Sequence, residues 1–137
     1  MSEAYAQGAI IGSVCHGALG FLQAKDMGGE PLVKGMRMTA VTNKQLEELN
    51  ITATPMHPET ELLRLGAEFE SVSAFRDLFA THVVVDGTVV TGQNQNSSAE
   101  TVFEMMRVLS NPPGYSNKSA WVPVAVKTRI SILSCFL

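Results

Sequence analysis

Cysteine is nearly absent from this chain. Two in 137 residues are too few for a disulfide framework, so reduced thiols and a cytoplasmic setting are expected. Basic character is missing as well. The formal net charge is −3 and no Lys/Arg cluster stands out, which gives no support for a nucleic-acid surface. No apolar run approaches the roughly 18 residues that span a bilayer, so no membrane contact is expected. The opening MSEAYAQG lacks a basic stretch followed by an apolar one and does not read as a secretory signal. Three histidines and two cysteines lie scattered, outside any metal-ligand spacing. No metal is expected. Internal repeats and low-complexity tracts are absent too.

What remains is ordinary globular material. Hydrophobic residues make up 45% and charged residues 17%, which excludes a disordered chain. The length suits one domain with a real core. The order of elements reads as α/β. SEAYAQ suits the end of a helix, and AIIGSV a short buried strand. HGALGFLQA reads as a helix and KDMGGEPLVKG as a loop. MRMTAVT is a candidate strand, after which Asn43 is placed to cap a short helix, KQLEELN. HPETELLRLG carries better end signals, with Pro58 at the first helical position and Gly66 at the stop. AEFESV alternates like a strand. In HVVVDGTVVTG two valine-rich runs flank Asp86-Gly87, a pair that favours a type I′ hairpin. SSAETVFEMMRVLS sets Val102, Met105, Met106 and Leu109 on one helical face, with Ser97 and Glu100 spaced for a capping box. After Ser110 the pattern is lost, and residues 111–137 read as an extra strand, a docking tail or a foreign segment.

One stretch points to chemistry. GSVCHG, residues 12–17, sits where the strand ends and the helix begins. A nucleophile with small residues two before and two after it, here Ser13 and Gly17, fits a nucleophile elbow. The turn is sharp, and small flanks relieve it. Cys15 is thereby presented at the carboxyl edge of the sheet, where α/β folds bind ligands. A helix N-terminus there favours thiolate, and its amides suit a developing oxyanion. A buried structural cysteine is the plain alternative. His57, His82, and the turn residues Gly92, Gln93 and Asn94 are weaker candidates. Cys135 reads as inert.

SVCHGALGFL, PLVKGMRMTAVTNKQLEELN, PETELLRLGAEFE and HVVVDGTVVTGQNQNSSAETVFEMM follow in that order. Over residues 4–110 the chain resembles the carboxyl-terminal half of the ThiJ/PfpI family, within the class I glutamine-amidotransferase-like superfamily. The Cys-His-Gly elbow and the DG-x-V-V-TGQN hairpin carry the resemblance. It implies a flavodoxin-like sandwich with a mainly parallel sheet, a partial domain over 1–110 and an unassigned tail over 111–137. The family fold has strands, helices and a glutamate ahead of the elbow, so its amino-terminal half is expected to be missing here. In the branch of heat-shock glyoxalases and chaperones, the histidine after the cysteine is its partner and an acid about thirty positions on orients it. His16 matches the first role. Glu47 matches the second, with Glu48 a close rival and a solvated helix face the plain reading of both.

The activity so implied is conversion of a small 2-oxoaldehyde to a 2-hydroxy acid without glutathione, or repair of glycated protein by the same first step. A homo-oligomer is also implied, and an activity that needs neither a metal nor an organic cofactor. A truncated, inactive chain is part of the same expectation. Two other classes stay open: a non-catalytic chaperone-like or interaction protein, and a glutaminase-type amidotransferase, whose His-x-Glu spacing is mimicked by residues 57–59.

Overall fold

The computed structural model describes residues 1–113 and, for the backbone, 130–134. A five-residue helix α1 (Ser2–Ala6) leads into β1 (Ile10–Val14), all of whose residues are buried. The near-continuous apolar run of β1 is explained by its neighbours. It lies inside a four-stranded sheet of order β4-β5-β1-β6, formed with β4 (Val83–Asp86), β5 (Val89–Gly92) and β6 (Ile130–Ser134). β1 pairs parallel with β5 and with β6, and β4 closes antiparallel on β5. A strand covered on both faces and both edges has no polar side to display. Two shorter strands, β2 (Arg37–Met38) and β3 (Glu68–Phe69), form a separate parallel pair. MRMTAVT thus yields only two strand residues. Side chains tie β2 to the hairpin instead, since Arg37 N–H donates to Asp86 Oδ2 at 2.9 Å and Thr39 N–H to Thr91 Oγ1 at 2.9 Å.

Successive residues of β1 feed opposite faces, as strand geometry requires. Ile11, with Val89 of β5, joins the larger core of Phe21, Leu32, Val33, Met38 and Leu62. Ile10, with Val90, meets Met105 and Val108 from α4 (Ser98–Ser110). The sheet is therefore sandwiched. α4 covers one face, while the other receives the 3-10 helix Cys15–Phe21 and α3 (Pro58–Arg64). Complete burial of side chains such as Phe21 and Leu62 is worth roughly 1.5–3 kcal/mol each.

Four local expectations need correction. Thr42, not Asn43, caps α2 (Asn43–Glu48): its side chain accepts from Gln45 N–H, and Gln45 returns a bond to Thr42 N–H. The hairpin pairs Asp86 with Val89, which makes Gly87 and Thr88 its two central residues. Only Gly87 has positive φ, at 58°, so the turn belongs with type II′ and not type I′. The inward face of α4 is Thr101, Met105 and Val108, with Val102 and Met106 turned to solvent. Ser97 makes no side-chain cap there. Its hydroxyl accepts His82 N–H at 3.1 Å, and Asn94 caps the preceding 3-10 turn instead. The Pro58 start and the Gly66 stop of α3 stand as read, Gly66 with a φ of 87°.

Gly92 ends β5 where the first turn of α4 comes closest. A methyl group there would overlap the hydroxyl of Thr101 and press on Ser97 and Val14. Gly92→Ala is expected to destabilise the chain by about 1–3 kcal/mol, the usual cost of overpacking, measured by urea unfolding.

Candidate functional site

The chain leaves β1 through Val14 in extended backbone and enters the 3-10 helix at Cys15. Cys15 takes φ 58°, the left-handed region that costs a residue with a Cβ about 1–2 kcal/mol. Among the described residues only Asn50 shares this trait without being glycine. The strain sits on the residue that the elbow reading selects, as expected where a fold forces a side chain into the open end of a sheet. Ser13, two residues earlier, is fully buried, and its hydroxyl finds no hydrogen-bond partner. Cys15 should show its strain directly. Cys15→Gly is expected to be more stable than Cys15→Ala by about 1 kcal/mol, because both lose the sulfur and only alanine keeps the strained Cβ. Paired denaturation curves test it.

The thiol has its histidine. Cys15 Sγ lies 3.5 Å from His16 Nδ1. Burial lowers the basicity of His16, and the nearby His57 lowers it further. The ring is thereby biased toward the neutral form, the one able to take a proton. Cys15 is itself buried, packed with Val14, Val41, Leu46 and partly Ile51. Leu46 belongs to α2, so the helix that carries the acidic candidates does flank the thiol.

The third candidate is not brought to the pair. Glu47 and Glu48 are exposed on α2. Glu48 sits 3.8 Å from Lys44. Among the described residues the Glu47 carboxylate forms neither a hydrogen bond nor an ion pair, although its backbone carbonyl accepts Asn50 N–H at 3.0 Å, and no carboxylate bonds the His16 ring. Glu48 is thus engaged elsewhere, and Glu47 is the uncommitted acid of the two.

His57 occupies the N-cap position of α3 and is exposed. Its Nδ1 is 3.2 Å from Asn43 Oδ1, while Asn43 Nδ2 donates to Thr60 Oγ1 at 3.1 Å and Asn43 N–H to Glu59 Oε2 at 2.6 Å. These bonds lock the start of α2 to the start of α3. Sequence reading set His57 aside as a cap or surface residue. Its only signal was the HPE tripeptide, and nothing in the linear order places it near His16.

The other candidates are structural. Gln93 donates to Val72 C=O and accepts Val72 N–H, and Asn94 donates to the carbonyl of Ala80. Both are buried clamps on the loop 71–80. His82 lies 3.7 Å from Glu70. Cys135 lies outside the described residues. A cavity of about 720 Å³ opens at the far end of β1, lined by Tyr5, Gly8, Asp26, Gly87 and Thr88 among others. Neither Cys15 nor His16 lines it, so it is not the reactive site. Among the described residues no group of three His, Cys, Asp or Glu could hold a metal ion. No described helix is long and apolar enough to cross a membrane.

The same loop carries a buried acid, Asp77. Burial would raise its carboxyl, but Lys44 Nζ at 2.8 Å and Ala74 N–H at 2.7 Å hold it below the ordinary aspartate value. Because the folded value is depressed, Asp77 stabilises the fold above its unfolded value near 3.9. That contribution is lost as pH falls through the folded value. Asp77→Asn is expected to cost about 2 kcal/mol at neutral pH and to flatten the acid limb of a stability-versus-pH curve.

Comparison with known proteins agrees with the motifs. No protein-family model matches the chain. A probable glutathione-independent glyoxalase of Schizosaccharomyces pombe is 31% identical over 114 residues, 80% of this chain and 50% of that protein. Glyoxalase 3 of Candida albicans is 29% identical over 105 residues, 74% of this chain and 44% of that protein. Among solved structures, glyoxalase III of Candida albicans superposes with a TM-score of 0.68 at 27% identity, covering 75% of this chain and 44% of that one. The Rapid Encystment Protein of Francisella tularensis gives 0.70 at 25% identity, covering 77% and 45%. The fold is accordingly the flavodoxin-like α/β sandwich with a mostly parallel sheet. The chain spans about half the length of the curated relatives it matches, and over that half its homologues are glutathione-independent glyoxalases and its structural neighbours are of the ThiJ/PfpI type.

Proposed function

We propose that this chain carries the nucleophile half of a glutathione-independent glyoxalase site, acting on a small 2-oxoaldehyde. The observation that carries the reading is the pairing of a strained elbow cysteine with a histidine 3.5 Å away. Cys15, as thiolate, adds to the aldehyde carbon, and the carbonyl oxygen takes up the proton, giving a hemithioacetal. His16 removes the hydrogen from that carbon, and an enediol forms. A proton returned to the neighbouring carbon leaves a thioester of the 2-hydroxy acid. Water then cleaves the carbon–sulfur bond and restores the thiol. The balance is one aldehyde and one water to one acid, with no external oxidant or reductant. In this reading Glu47 orients the imidazole, as the spacing from Cys15 suggests, and its exposed carboxylate must turn inward to do so. Working partners are the aldehyde and a second copy of the chain, and the setting is cytoplasmic.

Exposed apolar side chains favour a second reading, association with other protein. Phe103 and Met106 on α4 are 67% and 51% exposed. The two readings separate experimentally. Lactate formed from methylglyoxal without glutathione, together with a mass adduct on Cys15, supports the first. Lactate formation equal in Cys15→Ser, or an adduct confined to lysines and arginines, sinks it.

A further inference from the structure

The mechanism above asks an aldehyde to reach a thiol whose residue is only 8% exposed. Part of the wall over Cys15 is Leu46 of α2, itself 1% exposed. α2 has six residues, well below the roughly 12–15 that hold a helix in water unaided. Its position is therefore set by what its buried side chains grip. Two of the six are buried, Leu46 against the thiol and Gln45. Gln45 grips in two directions, as an amide with an acceptor and a donor end can. Its Oε1 accepts Thr42 N–H at 3.0 Å within the helix cap, and its Nε2 donates to Asp77 C=O at 2.7 Å outside the helix. Asp77 is a firm anchor, because the end of β5 clamps its loop through Gln93 on Val72 and Asn94 on Ala80. Lys44 adds an ion pair to the same residue from a half-exposed position. Asn43 ties only the start of α2 to α3. The bond from Gln45 to Asp77 is thus the buried hold on the rest of the helix.

We propose that Gln45 is a positioning residue of the nucleophile site: its bond to Asp77 latches α2, and with it Leu46, over Cys15, and release of that bond opens the thiol to the aldehyde. The proposal rests on the reading of Cys15 as the nucleophile and adds how that nucleophile is reached. Leu46 follows Gln45 directly in the chain, so a helix that lets go of Asp77 while pivoting on Asn43 carries the apolar wall away with it. Cys15 and His16 belong to the end of β1 and the 3-10 helix and need no rearrangement of their own. Opening breaks one hydrogen bond and exposes one leucine. Such a cost keeps the closed state dominant and the open one thermally accessible.

The test compares Gln45→Met and Thr42→Val with the parent in the full chain. Methionine matches glutamine in length and suits a helix, but bonds neither Thr42 nor Asp77. Thr42→Val removes the cap hydroxyl and leaves the bond to Asp77 in place. The deciding readout is the rate of alkylation by iodoacetamide, followed on the Cys15 peptide by mass so that Cys135 does not contribute. It is measured from zero urea to just below the unfolding transition. A local opening exposes little surface and its rate hardly changes with urea, whereas access through global unfolding rises steeply. Gln45→Met should raise the rate in water roughly tenfold, the factor that the loss of about one hydrogen bond gives, with the flat urea dependence of a local opening. Thr42→Val should stay within about twofold of the parent in the same flat region, even where it lowers global stability as much. If methionine prevents folding, Gln45→Glu replaces it, since a carboxylate keeps the bond to Thr42 N–H and loses only the donor to Asp77. A rate equal to the parent's, a rise confined to the steep limb, or an equal rise in Thr42→Val overturns the latch. Lactate formation is measured beside these. Its absence from the parent chain counts against the glyoxalase reading alone, since alkylation is independent of turnover.

Discussion

Cys15→Ser is expected to remove all lactate formation above background, from a chain whose own rate is already low. The two halves of that expectation have different causes. Serine keeps the shape of the elbow but replaces a thiol by a hydroxyl, which ionises far less readily, so His16 alone cannot make it a nucleophile of comparable strength. The low parental rate follows from what surrounds the pair. His16 is close to the thiol and biased toward the neutral form, but among the described residues no carboxylate fixes its tautomer or stabilises its charged state. In a serine-histidine-aspartate site, spoiling that one interaction costs about 10⁴ in turnover. A misplacement of about 1 Å costs a further hundredfold. The curated relatives extend well beyond the half that matches this chain, which covers 44% and 50% of their lengths. Methylglyoxal turnover by the purified chain should therefore fall at least about 10³ below that of an enzyme with a fully oriented histidine. Rapid lactate formation that Cys15→Ser abolishes would show that Glu47, or another acid, completes the site in solution. Formation that survives Cys15→Ser would remove the nucleophile altogether.

The elements that the sequence displayed clearly are those whose signals are local. The elbow was legible because a sharp turn needs Ser13 and Gly17 beside Cys15, and the backbone does adopt the left-handed conformation there. The start of α3 was legible because Pro58 loses nothing at a first helical position. The errors share another origin, since each involves a choice settled by residues far away in the chain. Thr42 and Asn43 both suit a cap, and the choice went to Thr42 because Asn43 is drawn toward His57, Thr60 and Glu59 of the next helix. Ser97 suits a capping box, yet its hydroxyl receives His82 N–H. The face of α4 turned because Gly12 and Gly92 leave room for Met105 and Thr101, a fit invisible in the periodicity of the helix alone. The candidate site divides in the same way. Cys15 and His16 are neighbours in sequence and had to be neighbours in space. His57, forty-one positions after His16, enters only through the packing of α3. Glu47 was inferred from spacing, and spacing fixes its helix but not the direction of its carboxylate.

The strand at the end of the chain governs a larger effect. A chain ending at Pro113 is expected to lose several kcal/mol of stability or to associate strongly. β6 pairs with β1 over five residues, from Ile10 with Ile130 to Val14 with Ser134. β1 is one of the two interior strands of the sheet and the one that delivers Cys15. Without β6, the backbone N–H and C=O groups of β1 on that side lose their partners. A buried group left unsatisfied costs about 1–3 kcal/mol, and two or three of them approach the 5–15 kcal/mol by which a domain of this size is stable. Water can relieve part of this if β1 becomes an edge, but an exposed edge flanked by apolar residues then invites pairing with another chain. The elbow should loosen with the strand that carries it, so alkylation of Cys15 by iodoacetamide should lose its dependence on the folded state. Leu133→Pro in the full-length chain separates strand pairing from length: Ile11 N–H bonds toward β5, so Gly12 faces β6, and in the parallel register its carbonyl receives the N–H of residue 133, the ladder donor that proline removes while keeping every other residue. Light scattering and urea unfolding of both variants against the parent measure the effect. Both variants should shift together, toward larger species or an earlier midpoint. If the chain ending at Pro113 stays monodisperse and unfolds at the same urea concentration as the parent, pairing with β6 contributes nothing to β1, and the elbow is held by β5 and the helices alone.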